Sequence, residues 1–105
     1  MGSTAVIDQR TASSLLLTSV RDLLEQSGTS IPANLGPQTI LFGPDAILDS
    51  LGLVTLIIDV EQRLEAEHGV SVALATDKAM SERQSPFRTV QTMTEYICRV
   101  VGEHA

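Results

Sequence analysis

The chain is poor in aromatic residues and in cysteine, and both shortages narrow the classes of protein to consider. Among its 105 residues there are no tryptophan, one tyrosine and two phenylalanines. Small strand-rich domains usually contain more aromatic residues, so this composition favours helices around an aliphatic core. The single cysteine, Cys98, excludes an internal disulfide and a cysteine-based metal cluster. Its helical apolar surroundings predict a buried, inert thiol.

Positive charge and long apolar runs are also scarce. Thirteen acidic residues against seven basic residues give a formal charge of −6. Such a surface repels nucleic-acid phosphates and anionic lipids and suits partners with basic docking surfaces. A requirement for solubility would explain the negative charge equally well. The first ten residues lack a signal-peptide pattern, and the aliphatic runs are far shorter than a membrane span. We therefore expect a cytoplasmic protein that binds neither nucleic acid nor membrane.

The apolar residues that are present suffice for one domain. They make up 43% of the chain, which is long enough for one core but too short for two. Residues 1–12 are poorly patterned and indicate a frayed lead-in or an early helical turn. A helix capped by Ser13 or Ser14 should follow, with apolar residues every three or four positions, and should end at Ser27 and Gly28.

A long loop and a second helix come next. Proline and glycine residues forbid a long helix within 29–49, while interspersed apolar residues predict a loop pinned across the bundle. The second helix should run from Ser50, as its N-cap, to His68, with Gly69 as a left-handed C-cap. Residues 70–75 should be extended.

The remaining residues predict two more helices. A short helix should span Asp77–Gln84, before Pro86. The last should run near 90–101, with Thr89 as its cap and Gly102 as its stop. The sequence thus predicts an all-α fold, a four-helix bundle with a long loop between helices 1 and 2 and a short third helix.

The second helix has two apolar faces. At about 100° per residue, one group of residues should form a core stripe: Leu53, Leu56, Ile57, Val60 and Leu64. The opposite group, which we call the outer stripe, comprises Leu51, Val54 and Ile58. The outer stripe either lies under the long loop or faces water as a docking patch rimmed by acidic residues.

Ser50 lies where the long loop meets this helix. Free N–H groups at a helix N-terminus accommodate phosphate, although a serine there commonly serves only as a cap. Residues 48–54 read Leu-Asp-Ser-Leu-Gly-Leu-Val, and this stretch resembles the Asp-Ser-Leu phosphopantetheine attachment motif of acyl carrier proteins. Residues 61–70, 89–91 and 95–97 resemble the same family, so that the similarity covers most of residues 14–101.

The resemblance implies a single carrier domain of acyl-carrier-protein type over residues 1–105. Ser50 would accept 4′-phosphopantetheine from coenzyme A through a separate phosphopantetheinyl transferase, which Asp49 would help to recognise. The arm would carry its cargo as a thioester. By this resemblance, the loading and transfer enzymes would contact Leu51, Val54, Glu61 and Glu65, and the outer stripe adds Ile58 to that surface.

Two departures from the family's pattern bear on the cargo. Gly52 stands where many fatty-acid carriers have an acidic or polar residue, and Thr55 stands where they commonly have glutamate. Fewer acidic residues beside the arm should change partner specificity. We therefore expect a monomeric carrier of acyl, aminoacyl or D-alanyl groups in a specialised pathway, rather than in housekeeping fatty-acid synthesis.

Other functions require features that the sequence lacks. A hydrolase elbow needs glycine two residues before and after the serine, whereas Leu48 precedes Ser50 at that spacing. Two scattered histidines and one cysteine make a zinc site improbable, and we predict no intrinsic catalysis. The remaining alternative is a non-covalent helical adaptor that docks through Leu51 and Val54.

Overall fold

The computed structural model describes residues 7–43, 45–76 and 86–104. These residues contain three helices and no strand: α1 at Gln9–Gln26, α2 at Ser50–His68 and α3 at Val90–His104. The predicted all-helical fold is confirmed. The short helix predicted at Asp77–Gln84, which would be the fourth, lies outside the described residues.

Helix α1 begins earlier than its sequence suggests. The Asp8 carboxylate accepts a hydrogen bond from the Thr11 N–H at 2.8 Å and caps the helix, so Gln9 is its first residue. That bond lowers the pKa of the Asp8 carboxyl. The cap predicted at residues 13–14 is therefore wrong, whereas the early helical turn, one of the two alternatives for this part of the chain, is confirmed over residues 9–12, where Ala12 is buried in the core. The predicted end is correct, because the helix closes at Gln26 with Ser27 as its C-cap.

Helix α2 has the predicted bounds but a different cap. It runs from Ser50 to His68, and Gly69 follows in a left-handed conformation with φ of 67°, which glycine adopts without strain. Its N-cap is Asp49, whose Oδ1 accepts the Gly52 N–H at 2.7 Å. The prediction that Ser50 is the cap is wrong, and Ser50 is the first helical residue.

Helix α3 starts as predicted and ends later. Thr89 Oγ1 accepts the Thr92 N–H at 3.1 Å, which is the hydrogen bond of an N-cap. The helix then continues through Gly102 to His104. The prediction that Gly102 stops the helix is wrong, and Gly102 does not have the positive φ with which a glycine often ends a helix.

The core lies where α1 packs against both α2 and α3. It is aliphatic, as predicted, apart from Phe87 and Tyr96, whose rings meet edge to face with centroids 5.5 Å apart. The predicted core stripe of α2 is confirmed, because each of its five residues is buried. Burial of this stripe fixes the rotation of α2 about its own axis.

The loop between α1 and α2 is pinned, as predicted. The Leu41 N–H donates to the Arg88 carbonyl at 2.7 Å, and the Val90 N–H donates to the Thr39 carbonyl at 3.0 Å. The Leu41 side chain is buried in the core. These contacts attach the loop to the start of α3 and so hold the chain that leads into α2.

The extended segment that follows α2, residues 70–76, is hydrogen-bonded to both α2 and α3 through one residue, Leu74. Leu74 is buried; its N–H donates to Glu61 Oε2 at 2.7 Å, and its carbonyl accepts the Tyr96 hydroxyl at 2.8 Å. Glu61 belongs to α2 and Tyr96 to α3. A single peptide segment therefore links the two helices through side-chain hydrogen bonds.

We expect Tyr96→Phe to lower the free energy of unfolding by about 0.5–1.5 kcal/mol, because the Leu74 carbonyl loses one of its two hydrogen-bond donors and keeps the Thr76 N–H. Urea denaturation followed by circular dichroism measures the change. Thr18→Val, which removes an exposed hydroxyl from α1, serves as the control and should change stability by less than about 0.5 kcal/mol. Equal effects of the two substitutions would show that this hydrogen bond adds no stability.

Candidate functional site

Ser50 is exposed at the first position of α2. Because the Asp49 carboxylate caps the helix, the Ser50 hydroxyl is not needed as a cap, and it makes no hydrogen bond to any residue that the structure describes. Capping was the simplest alternative explanation for a serine at this position. In the structure Asp49 caps the helix, and the Ser50 hydroxyl is accessible to solvent.

The surroundings of this hydroxyl suit a phosphate group. The first hydrogen bond within α2 joins the Leu53 N–H to the Asp49 carbonyl at 2.9 Å, so the N–H groups of Ser50 and Leu51 precede it. Groups of this kind carry the partial positive charge of a helix N-terminus. A phosphodiester on the Ser50 oxygen would lie next to them.

Gly52 has a structural part in this arrangement that sequence reasoning missed. A Cβ atom at this position would lie 3.1 Å from Asp49 Oδ1 and 3.4 Å from the Leu48 Cβ. Glycine therefore gives the capping carboxylate room to reach the backbone of the first turn. The signal was present as an aspartate followed three residues later by glycine, but only the side-chain geometry identifies its purpose.

The outer stripe faces solvent. Leu51 is 74% exposed, Val54 42% and Ile58 49%, so the described part of the long loop does not cover them. Phe42, on the loop that leads into α2, is another exposed large apolar residue. Of the two alternatives for the outer stripe, the structure supports exposure, which places an apolar surface beside Ser50.

The acidic residues of α2 are less available than the resemblance implies. Glu65 is exposed, but Glu61 is partly buried and its carboxylate holds the Leu74 N–H. Asp59 forms an ion pair with Arg63 at 2.7 Å, and Arg63 also contacts Asp22. The hydrogen bond that Arg63 donates to Asp59 is the main reason why the pKa of Arg63 is raised. An acidic recognition face that includes Glu61 and Glu65 stays a prediction.

His68 and Cys98 are poorly suited to act as catalytic partners of Ser50. His68 is eighteen residues further along α2, about 27 Å away at 1.5 Å per residue, so the two side chains cannot form a catalytic pair. Cys98 is partly buried in α3, and this burial raises the pKa of its thiol. A raised pKa disfavours the thiolate that a nucleophile requires.

No protein-family model, curated protein or solved structure matched the chain in a comparison. Within residues 7–43, 45–76 and 86–104, no group of three histidine, cysteine, aspartate or glutamate side chains could hold a metal ion. Of the helices in the described ranges, none has the length and hydrophobicity needed to cross a bilayer. The function must therefore be inferred from the chain's own residues, above all those around Ser50.

Substitution can separate the outer stripe from the core stripe. We expect Leu51→Gln to change the free energy of unfolding by no more than about 0.5 kcal/mol, because the side chain is exposed. Leu53→Ala, on the opposite face of the same turn, should lower it by about 2–5 kcal/mol. Urea denaturation measures both. A similar loss for the two variants would mean that Leu51 packs in the core.

Proposed function

We propose that this chain is a carrier protein that holds an acyl or aminoacyl group as a thioester on a phosphopantetheine arm attached to Ser50. The observation that carries the proposal is the hydroxyl of Ser50, which is exposed, makes no hydrogen bond to the described residues and stands at the start of α2. The Asp-Ser-Leu stretch of the carrier family places its modified serine at this position of a helix.

The attachment chemistry demands little of the chain itself. A transferase would join Ser50 Oγ to a phosphorus atom of coenzyme A, break the pyrophosphate bond and release the adenosine bisphosphate. The hydroxyl proton would pass to a base of the transferase. The carrier then needs only an accessible oxygen and a surface that the transferase recognises, which agrees with the distance between Ser50 and His68 along α2. The exposed Asp49 fits the expected part in that recognition.

The outer stripe is the surface we assign to the partner enzymes. Leu51, Val54 and Ile58 lie along α2 beside the arm, and Glu65 adds an acidic residue for a basic docking surface. With Gly52 and Thr55 in place of acidic residues, and with Glu61 hydrogen-bonded to Leu74, the first turns of this face have little free charge. That favours partners of a specialised pathway.

As part of the carrier proposal, we expect the chain to be a monomeric four-helix bundle, in which Asp77–Gln84 forms the short third helix between α2 and the last helix. We also expect the chain to catalyse no reaction itself. The exposure of Leu51 also supports a second candidate, a non-covalent adaptor that docks through Leu51 and Val54 without any arm.

Mass spectrometry distinguishes these candidates. Incubation with coenzyme A, Mg²⁺ and a broad-range phosphopantetheinyl transferase should add one phosphopantetheine of roughly 340 Da to the protein. Ser50→Ala should gain no mass, whereas Ser71→Ala, which removes an exposed serine elsewhere, should be modified like the wild type. If several transferases leave the wild type unmodified, the adaptor replaces the carrier as the better proposal.

A further inference from the structure

A small notch opens between α1 and α2, on the side of α2 that adjoins the outer stripe. Its volume is about 40 Å³. The residues that line it are Ser19, Leu23, Gln26, Thr55, Leu56 and Asp59. Thr55 lies five residues after Ser50, about 7.5 Å along the helix axis and about 140° around it, so the notch opens within two turns of the proposed attachment point but on another side of α2.

Ser19 is the unusual member of this lining. Its side chain is only 1% exposed, and its Oγ has no hydrogen-bond partner among the described residues. Thr94, another buried residue with a hydroxyl, donates to the Val90 carbonyl at 2.8 Å and is satisfied. Since buried polar groups are nearly always paired, the Ser19 hydroxyl indicates a partner that enters through the notch.

Among the remaining polar residues of the notch, Thr55 and Asp59 offer acceptors, whereas the Gln26 amide can both donate and accept. Thr55 Oγ1 donates its proton to the Leu51 carbonyl at 2.9 Å, so only its lone pairs are free. Asp59 Oδ2 accepts from Arg63 and leaves the other carboxylate oxygen. Asp22 and Asp59 share the single guanidinium of Arg63, which leaves the cluster with a net negative charge. The best partner therefore donates hydrogen bonds and can be cationic.

The size of the notch limits what can enter. A water molecule needs about 10–15 Å³ of such a cavity, so 40 Å³ admits roughly three groups of that size. Leu23 and Leu56 provide an apolar wall for a methylene or two. The end of a short acyl chain fits these limits, whereas a long fatty chain does not.

We propose that the notch between α1 and α2 binds the hydrogen-bond-donating end of a short hydroxyacyl or aminoacyl cargo on the arm. The inference rests on the proposed function of Ser50. An extended phosphopantetheine arm is about as long as a five-residue peptide, roughly 17 Å. Thr55 and Asp59 lie roughly 7.5 and 13.5 Å from Ser50 along the helix axis and about 140° and 180° around it, so the arm must wrap round the first turns of α2 to bring its end to the notch. Ser19 and Asp59 would accept from the cargo's hydroxyl or ammonium group.

Cargoes of nearly equal shape test the proposal. The transferase would load the protein from β-alanyl-, β-hydroxypropionyl- and butyryl-coenzyme A, whose acyl groups end in an ammonium, a hydroxyl and a methyl group. Relative to the free-thiol holo protein, amide NMR signals of Ser19 and Thr55 should shift with the first two cargoes and not with butyryl. Ser19→Ala should abolish the shifts, whereas Ser14→Ala, an exposed serine in the same helix, should retain them.

Each other outcome overturns the inference. Equal shifts with butyryl would mean that the notch makes only a non-selective apolar contact. If the signals of Ser19 and Thr55 already move between the apo and the holo protein, the notch binds the amides of the arm instead of the cargo. Loading without any shift at Ser19 would leave only solvent in the notch, while the carrier function would stand. Failure to load at all would remove the proposed function and this inference together.

Discussion

The hydrogen bond from the Gly52 N–H to the Asp49 carboxylate is the contact on which the proposed site depends. It starts α2 at Ser50 and relieves that serine of the capping task. A Cβ at position 52 would lie 3.1 Å from the capping oxygen, so a residue with a side chain there would make the carboxylate shift by a few tenths of an ångström. Glycine accommodates the cap without that shift, and it adds no charge beside the free hydroxyl.

The rotation of α2 follows from contacts with the rest of the bundle. The core stripe is buried in the shared core, where α2 packs against α1, and the loop that precedes α2 is hydrogen-bonded to the start of α3. Glu61 on α2 also holds the buried Leu74 N–H, a bond between residues thirteen positions apart. With the helix held on these sides, Leu51, Val54 and Ile58 have no core left to join and remain exposed. Exposed apolar groups in contiguous patches commonly mark interaction sites.

The features predicted correctly from sequence are those that depend on residues close together in the chain. Periodicity placed both stripes of α2, and Gly69 marked the helix end, since burial and left-handed backbone leave clear signatures in sequence. The wrong or missing predictions concern helix caps, for which neighbouring residues compete, and contacts between residues far apart in the sequence. Asp8 and Asp49 displaced the serines as caps, and both residue types cap well, so only geometry separates them. The Glu61–Leu74 bond and the unpaired hydroxyl of Ser19 depend on tertiary packing, which no window of sequence contains.

A carrier must hold its cargo and also release it to an enzyme, and the notch beside α2 suits that requirement. A short flexible tether gives its end an effective concentration in the millimolar range. At that concentration a site with a dissociation constant near 1 mM, worth about 4 kcal/mol, is half occupied. Two or three hydrogen bonds of about 0.5–1.5 kcal/mol each, with a little apolar contact against Leu23 and Leu56, approach this value. An enzyme docked on the outer stripe would then need to compete with only a weak site, one edge of which, at Thr55, adjoins its own footprint.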